Sequence, residues 1–395
     1  MSFEILETET RGTIIKVVGV GGAGGNAVQH MIARNVQGVE FICANTDHQA
    51  LVRSTAKNIL QLGRTGLGAG SRPEAGRAAA EEARDRIADA LRGAHMVFIT
   101  AGMGGGTGTG AAPVVAQIAK DLGILTVAVV SKPFEFEGPK RMKLAEAGVT
   151  ELEDTVHSLI VILNNKLEEV MGEDAEMSEC FRAADDVLHN ACAGIAEIIN
   201  VPGLVNVDFE DVKTVMSEQG KAMMGTALAS GIDRARIAAE QAVASPLLEG
   251  VDLSGARGVL VNITASSSLK MKETREVMNT IRAFAADDAT VIFGTVCDES
   301  VGDGLRVTVV ATGLGRAASK KQSTPFVVVR TGTHDAPMSA IASTSAPSAT
   351  SSDYSDFEKP AIWRTRESAQ TKVSAMEDSG SDRYDIPAFL RKQAD

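Results

Sequence analysis

The sequence predicts an α/β fold with a Rossmann-like parallel-sheet domain, a long central helix, a smaller C-terminal α/β domain and a disordered tail. Apolar strand-like runs alternate with amphipathic helical segments through the first half of the chain, which is typical of a parallel sheet with helices on both faces. A continuous helical pattern then runs from about Met177 to Asn200. After Gly315 the sequence becomes rich in serine and threonine, a composition that buries too little apolar surface to fold.

Length, charge and composition exclude several classes of protein. The 395 residues are 44% hydrophobic, which is enough for packed cores in two domains. No run reaches the ~18 consecutive apolar residues of a membrane span, and the acidic start MSFEILETET is unlike a signal peptide. A formal charge of −12 disfavours nucleic acid as a partner, and four scattered cysteines predict reduced thiols and not a zinc site. We therefore expect a cytoplasmic protein that does not insert into the membrane.

The elements of the N-terminal half follow from apolar runs and glycine turns. Strands are predicted in GTIIKVVGVGG, GVEFICANTD, HMVFITAG, ILTVAVVSKPF and SLIVILNN. Helices are predicted in GNAVQHMIARNV, AAAEEARDRIADALRG and AAPVVAQIAKDLG, the last beginning at its proline, which a first turn tolerates. In such sheets ligands bind at the carboxyl ends of the strands.

The central helix carries an apolar stripe, which predicts that it packs as a spine between two domains. The stripe consists of Phe181, Ala184, Leu188, Ala191, Ile195 and Ile198 or Ile199. Beyond this helix, strands are predicted in GARGVLVNIT, ATVIFGTV and LRVTVVATG, and a helix in KETREVMNTIRAFA. These elements indicate a second, smaller α/β domain.

The first glycine loop, GVGGAG, lies between a strand and a helix. It places Gly19, Gly21 and Gly24 in the G-x-G-x-x-G pattern. Alone, this pattern fits a tight structural turn as well as a dinucleotide site, in which Glu40 or Asp47 would bind the ribose.

A second glycine loop, AGMGGGTGTGAAP, also joins a strand to a helix. It has six glycines between positions 102 and 110, with Thr107 and Thr109 as hydroxyl donors. Two sets of unobstructed backbone amides at helix N-termini suit a polyphosphate. The chain has no G-K-[ST] sequence and therefore no P-loop lysine, so Mg²⁺ is the expected counter-charge.

Selection of a base is predicted at the start of the central helix. Phe181 and Asp185 are four residues apart and share a face. An aromatic ring stacks on a purine, and a carboxylate accepts from the N1–H and N2–H₂ donors of guanine, whereas adenine presents an acceptor at N1. The alternative is a core phenylalanine beside an acid at a helix N-terminus. Glu137 and Arg141 are a similar pair, suited to ribose and phosphate or to a surface ion pair.

An acidic motif follows the other end of the central helix. In NVDFEDVKTVM, Asp208 and Asp211 either cap a further helix or polarise an attacking water for phosphoryl transfer. About nineteen helical residues, or ~30 Å at 1.5 Å each, separate this loop from Phe181. A catalytic role therefore requires that the loop come from a neighbouring molecule.

Five separated motifs, in order, resemble the tubulin/FtsZ family of GTPases. They are VGVGGAGGNAV, AGMGGGTGTGAAPVVA, KPFEFEG, NVDFEDVKTVMSEQGKAMMG and DIPAFLRKQAD, and the resemblance covers residues 13 to 316 and the last dozen. It implies a tubulin-like fold, GTP and GDP as ligands with Mg²⁺, and self-assembly into head-to-tail protofilaments of the bacterial division ring. It also implies polymerisation-dependent GTP hydrolysis, a location at the division site, and a site completed at the subunit contact.

The resemblance, carried over by position, implies nucleotide-binding roles for both glycine loops and the base-site residues. These are Gly21, Gly22, Ala23, Gly24, Gly25, Asn26, Gly104, Gly105, Gly106, Thr107, Gly108, Glu137, Arg141, Asn164, Phe181 and Asp185. Catalytic roles on the next subunit's nucleotide are implied for Asn206, Asp208 and Asp211, and no residue is assigned as a metal ligand. Membrane-tethering adaptors and assembly regulators would bind the tail through Asp385, Ile386, Pro387, Phe389 and Leu390.

The same resemblance gives the expected domain boundaries. They are a flexible N-terminus at 1–12, a GTP-binding domain at 13–176, the central helix at 177–201, the catalytic loop and following helix at 202–220, a C-terminal α/β domain at 221–316, a disordered linker at 317–380 and an adaptor-binding peptide at 381–395.

Two departures from the family pattern bear on the site. Ala23 stands where some members have glycine, which is harmless if its φ is negative. ILNNKL lacks the proline and acid of the PNDKL seen in some members, which leaves the role of Asn164 open.

Two other functions are weighed against this interpretation. An NAD-dependent dehydrogenase explains neither the second glycine loop nor the apolar tip of the tail. A non-hydrolysing regulatory homologue is disfavoured because Asp208 and Asp211 are both present.

Overall fold

The computed structural model describes residues 12–314, except 173, 202, 219, 246–255 and 287–288. The predicted linker at 317–380, the peptide at 381–395 and all but the last residue of the predicted flexible N-terminus lie outside the described residues. Within the described ranges, no helix combines the length and the apolar character needed to cross a bilayer.

The described strands form one sheet, which is parallel in its N-terminal part. They are β1 Ile15–Val20, β2 Val39–Asn45, β3 Asn58–Gln61, β4 Met96–Gly102, β5 Leu125–Lys132, β6 Ser158–Leu163, β7 Gly220–Ser230, β8 Gly258–Ala265, β9 Thr290–Cys297 and β10 Gly304–Leu314. Their order is β3-β2-β1-β4-β5-β6-β7-β10-β8-β9, and β1 to β6 pair in parallel, as predicted. The strand order reverses between β1 and β4, which is the position where open α/β sheets bind ligands.

The helices cover both faces of the parallel strands. They are α1 Gly21–Ala33, α2 His48–Val52, α3 Pro73–Glu82, α4 Arg84–Leu91, α5 Gly106–Asp121, α6 Pro139–Thr155, α7 Asn164–Met171, α8 Met177–Asn200, α9 Phe209–Met216, α10 Arg234–Val243 and α11 Met271–Arg282. Successive strand residues point to opposite faces. On β1, Val17 therefore enters a core shared with α1 and α8, and Val18 enters a core shared with α3 to α6.

The long helix α8 spans the residues predicted for it and packs as a spine. Leu188 and Ile195 of its apolar stripe share one core with Val17 of β1 and with Leu260 and Val310 of the C-terminal strands. Phe181 differs from the prediction, since it is 43% exposed. It lies at the start of the helix, before the stripe enters the core.

The C-terminal part continues the sheet in a mixed arrangement. β7 and β8 flank β10 in antiparallel pairs, and β9 pairs with β8 in parallel. β7 joins β6 through only three residue pairs, from Ser158↔Gly220 to Ile160↔Ala222. Neither β7 nor β3 was predicted; β7 is rich in glycine and alanine, which have weak strand propensity.

Two predicted helix starts are wrong, because the glycine loops themselves form the first turns. α1 begins at Gly21, not at Gly25, and α5 begins at Gly106, so that Pro113 lies inside the helix. Tertiary packing overrides the low helix propensity of glycine here. A Cβ on Gly110 would overlap the carbonyl oxygen of Pro73 at the start of α3, so the bare backbone of α5 is needed for this close contact.

The helix predicted over residues 78–93 is also wrong in its extent. It is two helices, α3 and α4, separated at the buried Ala83 (φ −95°, ψ 8°). Both pieces pack on α5. Arg84, the first residue of α4, forms an ion pair with Asp121 at the end of α5, with an N···O distance of 2.9 Å.

Candidate active site

The two glycine loops meet at the carboxyl ends of β1 and β4. The strands are paired up to Val20 and Ala101, and α1 and α5 begin within a few residues of these positions. A Cβ on Gly21 would lie 2.9 Å from the backbone nitrogen of Gly108, and the φ of Gly21 is +76°. Both facts require glycine at this position. The first turns of two helices therefore lie side by side.

The glycines of these loops fall into two classes. A Cβ on Gly24 would overlap the carbonyl oxygen of Thr100, and one on Gly108 would lie 2.5 Å from that of Gly102. These residues are glycines because another part of the backbone approaches them closely. Around the missing Cβ of Gly22, Gly25 and Gly105, in contrast, there is only open space.

The open glycines leave helix N-termini accessible. The first backbone N–H groups of a helix have no partner within the helix, and the helix dipole makes this end positive. At the starts of α1 and α5 no side chain caps these groups, and the space beside Gly22 and Gly105 is open. Two uncovered N-termini at one position form an anion site suited to more than one phosphate.

Three further loop residues have defined environments. The φ of Ala23 is negative, because Asn35 is the one non-glycine residue with a positive φ in the described part of the chain. The condition under which alanine was expected to be harmless, a negative φ, is thus met, and its methyl group lies beside Gly102. Thr107 Oγ1 lies 2.6 Å from Thr46 Oγ1. Thr109, expected as a donor toward phosphate, is instead buried and accepts from the Gly104 N–H at 2.8 Å.

The end of β2 adds Asn45, which the sequence analysis missed, and Asp47, which it named only for the ribose of a dinucleotide. A cavity of about 360 Å³ is lined by Gly22, Gly25 and Asn26 on one side and by Asn45 and Asp47 on the other. β2 is the parallel neighbour of β1, so the rule that ligands bind at carboxyl ends of strands would have found ANTD. Asp47 also caps α2, accepting from Gln49 N–H at 2.9 Å.

Glu40, offered for the ribose of a dinucleotide, lies elsewhere. It stands near the amino end of β2, away from the edge that carries the glycine loops. Its carboxylate is 3.6 Å from the Lys16 ammonium. Glu40 is therefore not placed to bind the ribose of a dinucleotide at the glycine loops, and it gives no support to the dehydrogenase interpretation.

An aromatic group lies at the start of α8. Phe181 contacts Phe134 edge-to-face, with ring centroids 5.3 Å apart. Phe134 stacks on Phe136 at 5.2 Å. Phe181 is therefore held in place on one side, while the rest of its ring is exposed and available to stack on a planar ligand.

Asp185 and Asp186 have different environments. Asp186 accepts from His30 Nε2 at 2.8 Å and pairs with Arg34 at 2.5 Å. No described side chain donates a hydrogen bond to Asp185. Burial raises the pKa of the Asp185 carboxyl to about 6, against the lowering effect of His30 and with a smaller raising effect from Asp186. A half-buried carboxylate without protein donors is suited to a ligand that brings its own hydrogen-bond donors.

Asn164 and Asn165 follow β6 at the same edge of the sheet. Asn164 is 5% exposed, and its side-chain oxygen has no hydrogen-bond partner in the described part of the chain. Asn165 accepts from the Glu135 N–H at 3.0 Å and so fixes the loop before α6.

Glu137 and Arg141 connect that loop to the second glycine loop. The Glu137 carboxylate accepts from the Phe134 N–H at 2.9 Å and pairs with Arg141 at 3.1 Å. Arg141 packs against Gly104, where a Cβ would lie 2.7 Å from Arg141 Cγ. The arginine side chain is 51% exposed, which leaves its guanidinium accessible to an anion.

The acidic loop lies beyond the far end of α8. Asp208 is the N-cap of α9 and accepts from the Asp211 N–H at 2.9 Å, while Asn206 accepts from the Gly203 N–H at 2.8 Å. One oxygen of Asp208 therefore caps α9, as the capping alternative predicted. The side chain of Asp211 projects from the first turn of α9, and all three residues are exposed.

The described residues include no cluster of three or more acidic, histidine or cysteine side chains suited to a metal ion. Mg²⁺ commonly binds through one or two protein groups, water and substrate phosphates. This site fits a magnesium ion carried by phosphates better than one held by a protein cage.

Comparison with known protein families gives two matches along the chain. The tubulin/FtsZ family GTPase domain matches residues 14–172, and the FtsZ family C-terminal domain matches residues 220–315. The cell division protein FtsZ of Coxiella burnetii is 53% identical over 395 residues, 99% of each chain. That of Pseudomonas aeruginosa is 53% identical over 398 residues, 100% of each chain.

Solved structures show the same similarity. An FtsZ dimer of M. jannaschii, described as empty, has a TM-score of 0.74 and 42% identity, covering 78% of this chain and 89% of that one. CetZ2 of Haloferax volcanii, solved as a GTPγS-bound protofilament, has a TM-score of 0.65 at 21% identity, covering 78% and 95%. The second likeness concerns the fold alone.

Proposed function

The chain belongs to the tubulin/FtsZ family, and from that premise we propose how its own residues bind and hydrolyse GTP. It is a cell-division GTPase that assembles into protofilaments. The observation that carries the residue assignments is the convergence of two uncovered helix N-termini at the switch point of the sheet. We infer that α1 and α5 bind the phosphates there, with Gly21 to Asn26 on one side and Gly104 to Gly108 on the other.

Guanine is selected at the start of α8. Phe181 stacks on the base, and the Asp185 carboxylate accepts from N1–H and N2–H₂. The support is the exposed face of Phe181 and the absence of a protein donor to Asp185 in the described residues. Adenine has an acceptor at N1 and would leave the half-buried carboxylate without a donor once the base covers it, which is costly. Asn164 adds its unpaired amide oxygen to this pocket.

Glu137 and Arg141 bind the ribose and a phosphate. The carboxylate accepts from a ribose hydroxyl, and the guanidinium donates to a phosphate oxygen. These proposed roles are supported by the ion pair between Glu137 and Arg141 and by the packing of Arg141 on the second glycine loop. On binding, Arg141 exchanges part of its contact with Glu137 for the phosphate.

Mg²⁺ would be held mainly by the β- and γ-phosphates and water, and would neutralise charge that develops during phosphoryl transfer. The hydroxyl groups of Thr46 and Thr107, which contact each other at the second glycine loop, are neutral donors and acceptors. The helix N-termini and Arg141 supply the remaining positive potential.

The hydrolytic step requires a second subunit. Asp208 and Asp211 lie beyond the far end of α8, about 30 Å from Phe181 at 1.5 Å per residue. The exposed loop from Asn206 to Asp211 therefore serves the nucleotide of the next molecule. Asp211 accepts a proton of the attacking water and aligns the water with the γ-phosphate. One oxygen of Asp208 caps α9, and its other oxygen accepts a hydrogen bond from the same water.

The tail and the cellular location complete the proposal. Asp385, Ile386, Pro387, Phe389 and Leu390 lie outside the described residues. We infer that they bind membrane-tethering adaptors and assembly regulators, because they form an isolated apolar cluster at the end of a polar segment. Such tethering would concentrate the polymer at the division site.

The test compares Asp211→Ala with Glu210→Ala. Glu210 lies in the same exposed turn and pairs with Lys213, so its loss is a matched control. We expect Asp211→Ala to bind GTP like the parent protein and to lose turnover by at least about a hundredfold, while Glu210→Ala keeps both. Loss of GTP binding in Asp211→Ala would contradict a role on the neighbour's nucleotide.

A further inference from the structure

A polar cluster connects the helix proposed to bind phosphates with the helix proposed to read the base. It consists of His30 on α1, Arg34 at the C-cap of α1 and Asp186 on α8. Asp186 accepts from His30 Nε2 at 2.8 Å and lies 2.5 Å from the Arg34 guanidinium. The side chain of His30 is 19% exposed, that of Asp186 34% and that of Arg34 49%. The contact of His30 with Asp186 is thus partly shielded from water, which strengthens it, while Arg34 lies at the surface.

The cluster continues both proposed subsites. Asn26 and His30 are four residues apart and share one face of α1, and Arg34, four residues further along, is the C-cap of that helix. Asn26 belongs to the phosphate-binding turn, and Asp186 directly follows Asp185. His189, one turn further along α8, meets His30 edge-to-face at 6.2 Å, which limits rotation of the imidazole.

We propose that His30 and Arg34, acting through Asp186, are positioning residues that hold Asp185 against the guanine base. The inference rests on the proposed role of Asp185 in base recognition. If α8 shifts or rotates relative to α1, the distance between the base site and the phosphate site changes. In the proposed complex both helices contact the same nucleotide. The polar cluster of His30, Arg34 and Asp186, called the brace below, therefore sets whether the base and the phosphates are bound at the same time.

The charged groups around Asp185 come from each helix packed against this part of α8. α1 and its C-cap supply His30 and Arg34, and α8 itself supplies Asp186 and His189. α7, which also packs on α8, carries Lys166, which pairs with Glu169 on its own helix. His30 is the one of these groups that lowers the pKa of Asp185 in the described part of the chain. Replacement of His30 should therefore move the pH dependence of GDP binding in a direction that can be stated in advance.

The experiment measures binding of GDP and IDP to dilute protein between pH 5 and 8. IDP lacks the N2 amino group and offers Asp185 one donor fewer. The variants are His30→Gln, which keeps a hydrogen-bond donor without charge, Arg34→Ala, and Arg34→Lys, which keeps the charge. Arg84→Ala is the control, since it removes a comparably exposed ion pair, with Asp121, far from the site. Thermal unfolding of each variant is recorded so that binding is compared among folded proteins.

We expect Arg34→Ala to weaken GDP binding about fivefold and to weaken IDP binding less, so that the preference for GDP falls. Arg34→Lys should restore most of this preference, and Arg84→Ala should leave it unchanged. In His30→Gln the loss of GDP affinity on acidification should begin at a higher pH, because the pKa of Asp185 rises.

Two results separate the ways in which this inference fails. If Asp185→Asn lowers the GDP preference but the His30 and Arg34 variants keep the parent preference and pH profile, the brace has no positioning role. If Asp185→Asn itself leaves the preference for GDP over IDP unchanged, the proposed base site is wrong. A uniform loss of GDP and IDP affinity, without a change in pH profile, would also overturn the inference, because it indicates general loosening of the fold.

Discussion

Gly22 and Gly24 lie two residues apart on the first turn of α1, yet a side chain would meet different surroundings at each. A Cβ on Gly24 would overlap the Thr100 carbonyl, whereas one on Gly22 would enter open space. Neither has a positive φ. Gly24 is therefore required for packing, whereas Gly22 is available to contact a ligand.

We expect Gly24→Ala to destabilise the protein by about 1–3 kcal/mol, the usual cost of overpacking. Gly22→Ala should unfold at a temperature equal to or slightly above that of the parent, because alanine has the higher helix propensity, but should bind GTP about tenfold more weakly, or ~1.4 kcal/mol. Thermal unfolding and nucleotide titration check both. Unaltered GTP affinity in Gly22→Ala would argue that the open space is not the phosphate site.

Asp185 gives a prediction on pH. Its pKa is raised by burial to about 6, and the guanine donors favour the ionised form, so binding lowers this pKa. Below about pH 6 the carboxyl must lose a proton to bind, and GTP affinity should fall by up to about tenfold per pH unit. Asp185→Asn should bind more weakly at neutral pH and lack this dependence. A parent protein with constant affinity from pH 7 to 5 would contradict the role of Asp185.

Residue chemistry was predictable where it depends on local spacing. Phe181 and Asp185, or Glu137 and Arg141, share a helix face because they are four residues apart. The burial that raises the pKa of Asp185, and the contact of His30 with Asp186, depend on how α1 packs on α8. Sequence spacing carries no information about that packing.

At the scale of elements, α9 begins with a residue that has two proposed tasks. Asp208 caps the helix by accepting from the Asp211 N–H through one oxygen, and we propose that its other oxygen helps to align the attacking water. Serine is also a good N-cap, and alanine costs about 1 kcal/mol at this position. We expect Asp208→Ser to unfold at the same temperature as the parent protein but to lose most GTP turnover. Asp208→Ala should unfold at a lower temperature and also lose most GTP turnover. Full turnover in Asp208→Ser would reduce Asp208 to a cap.

The order and type of most elements were predictable, but the starts of α1 and α5 were not. Helix propensity places both starts after the glycines, whereas the structure places them at Gly21 and Gly106. The stability of these first turns comes from backbone contacts with residues distant in sequence, as between Gly21 and Gly108. The result matters for function, because it brings the uncovered N–H groups to the ligand.

At the scale of the whole molecule, α8 separates the two halves of the chemistry. The proposed base site lies at one end and the acidic loop beyond the other, so a single copy cannot complete the site. GTP turnover per subunit should therefore rise steeply above a threshold protein concentration, while GTP binding per subunit stays constant. Turnover that is proportional to protein concentration down to dilute solution would mean that one chain suffices.

The most direct test of this account is complementation between two inactive variants. Asp211→Ala binds GTP but lacks the catalytic carboxylate; the double variant Phe181→Ala, Asp185→Ala lacks the base contacts but has an intact acidic loop. Each should be nearly inactive alone. Mixed in equal amounts, they should regain GTP turnover, because the intact loop acts on GTP held by the other variant, whereas a mixture of Asp211→Ala with Asp208→Ala should stay inactive. If the first mixture is as inactive as its components, the site is not completed by a neighbouring subunit.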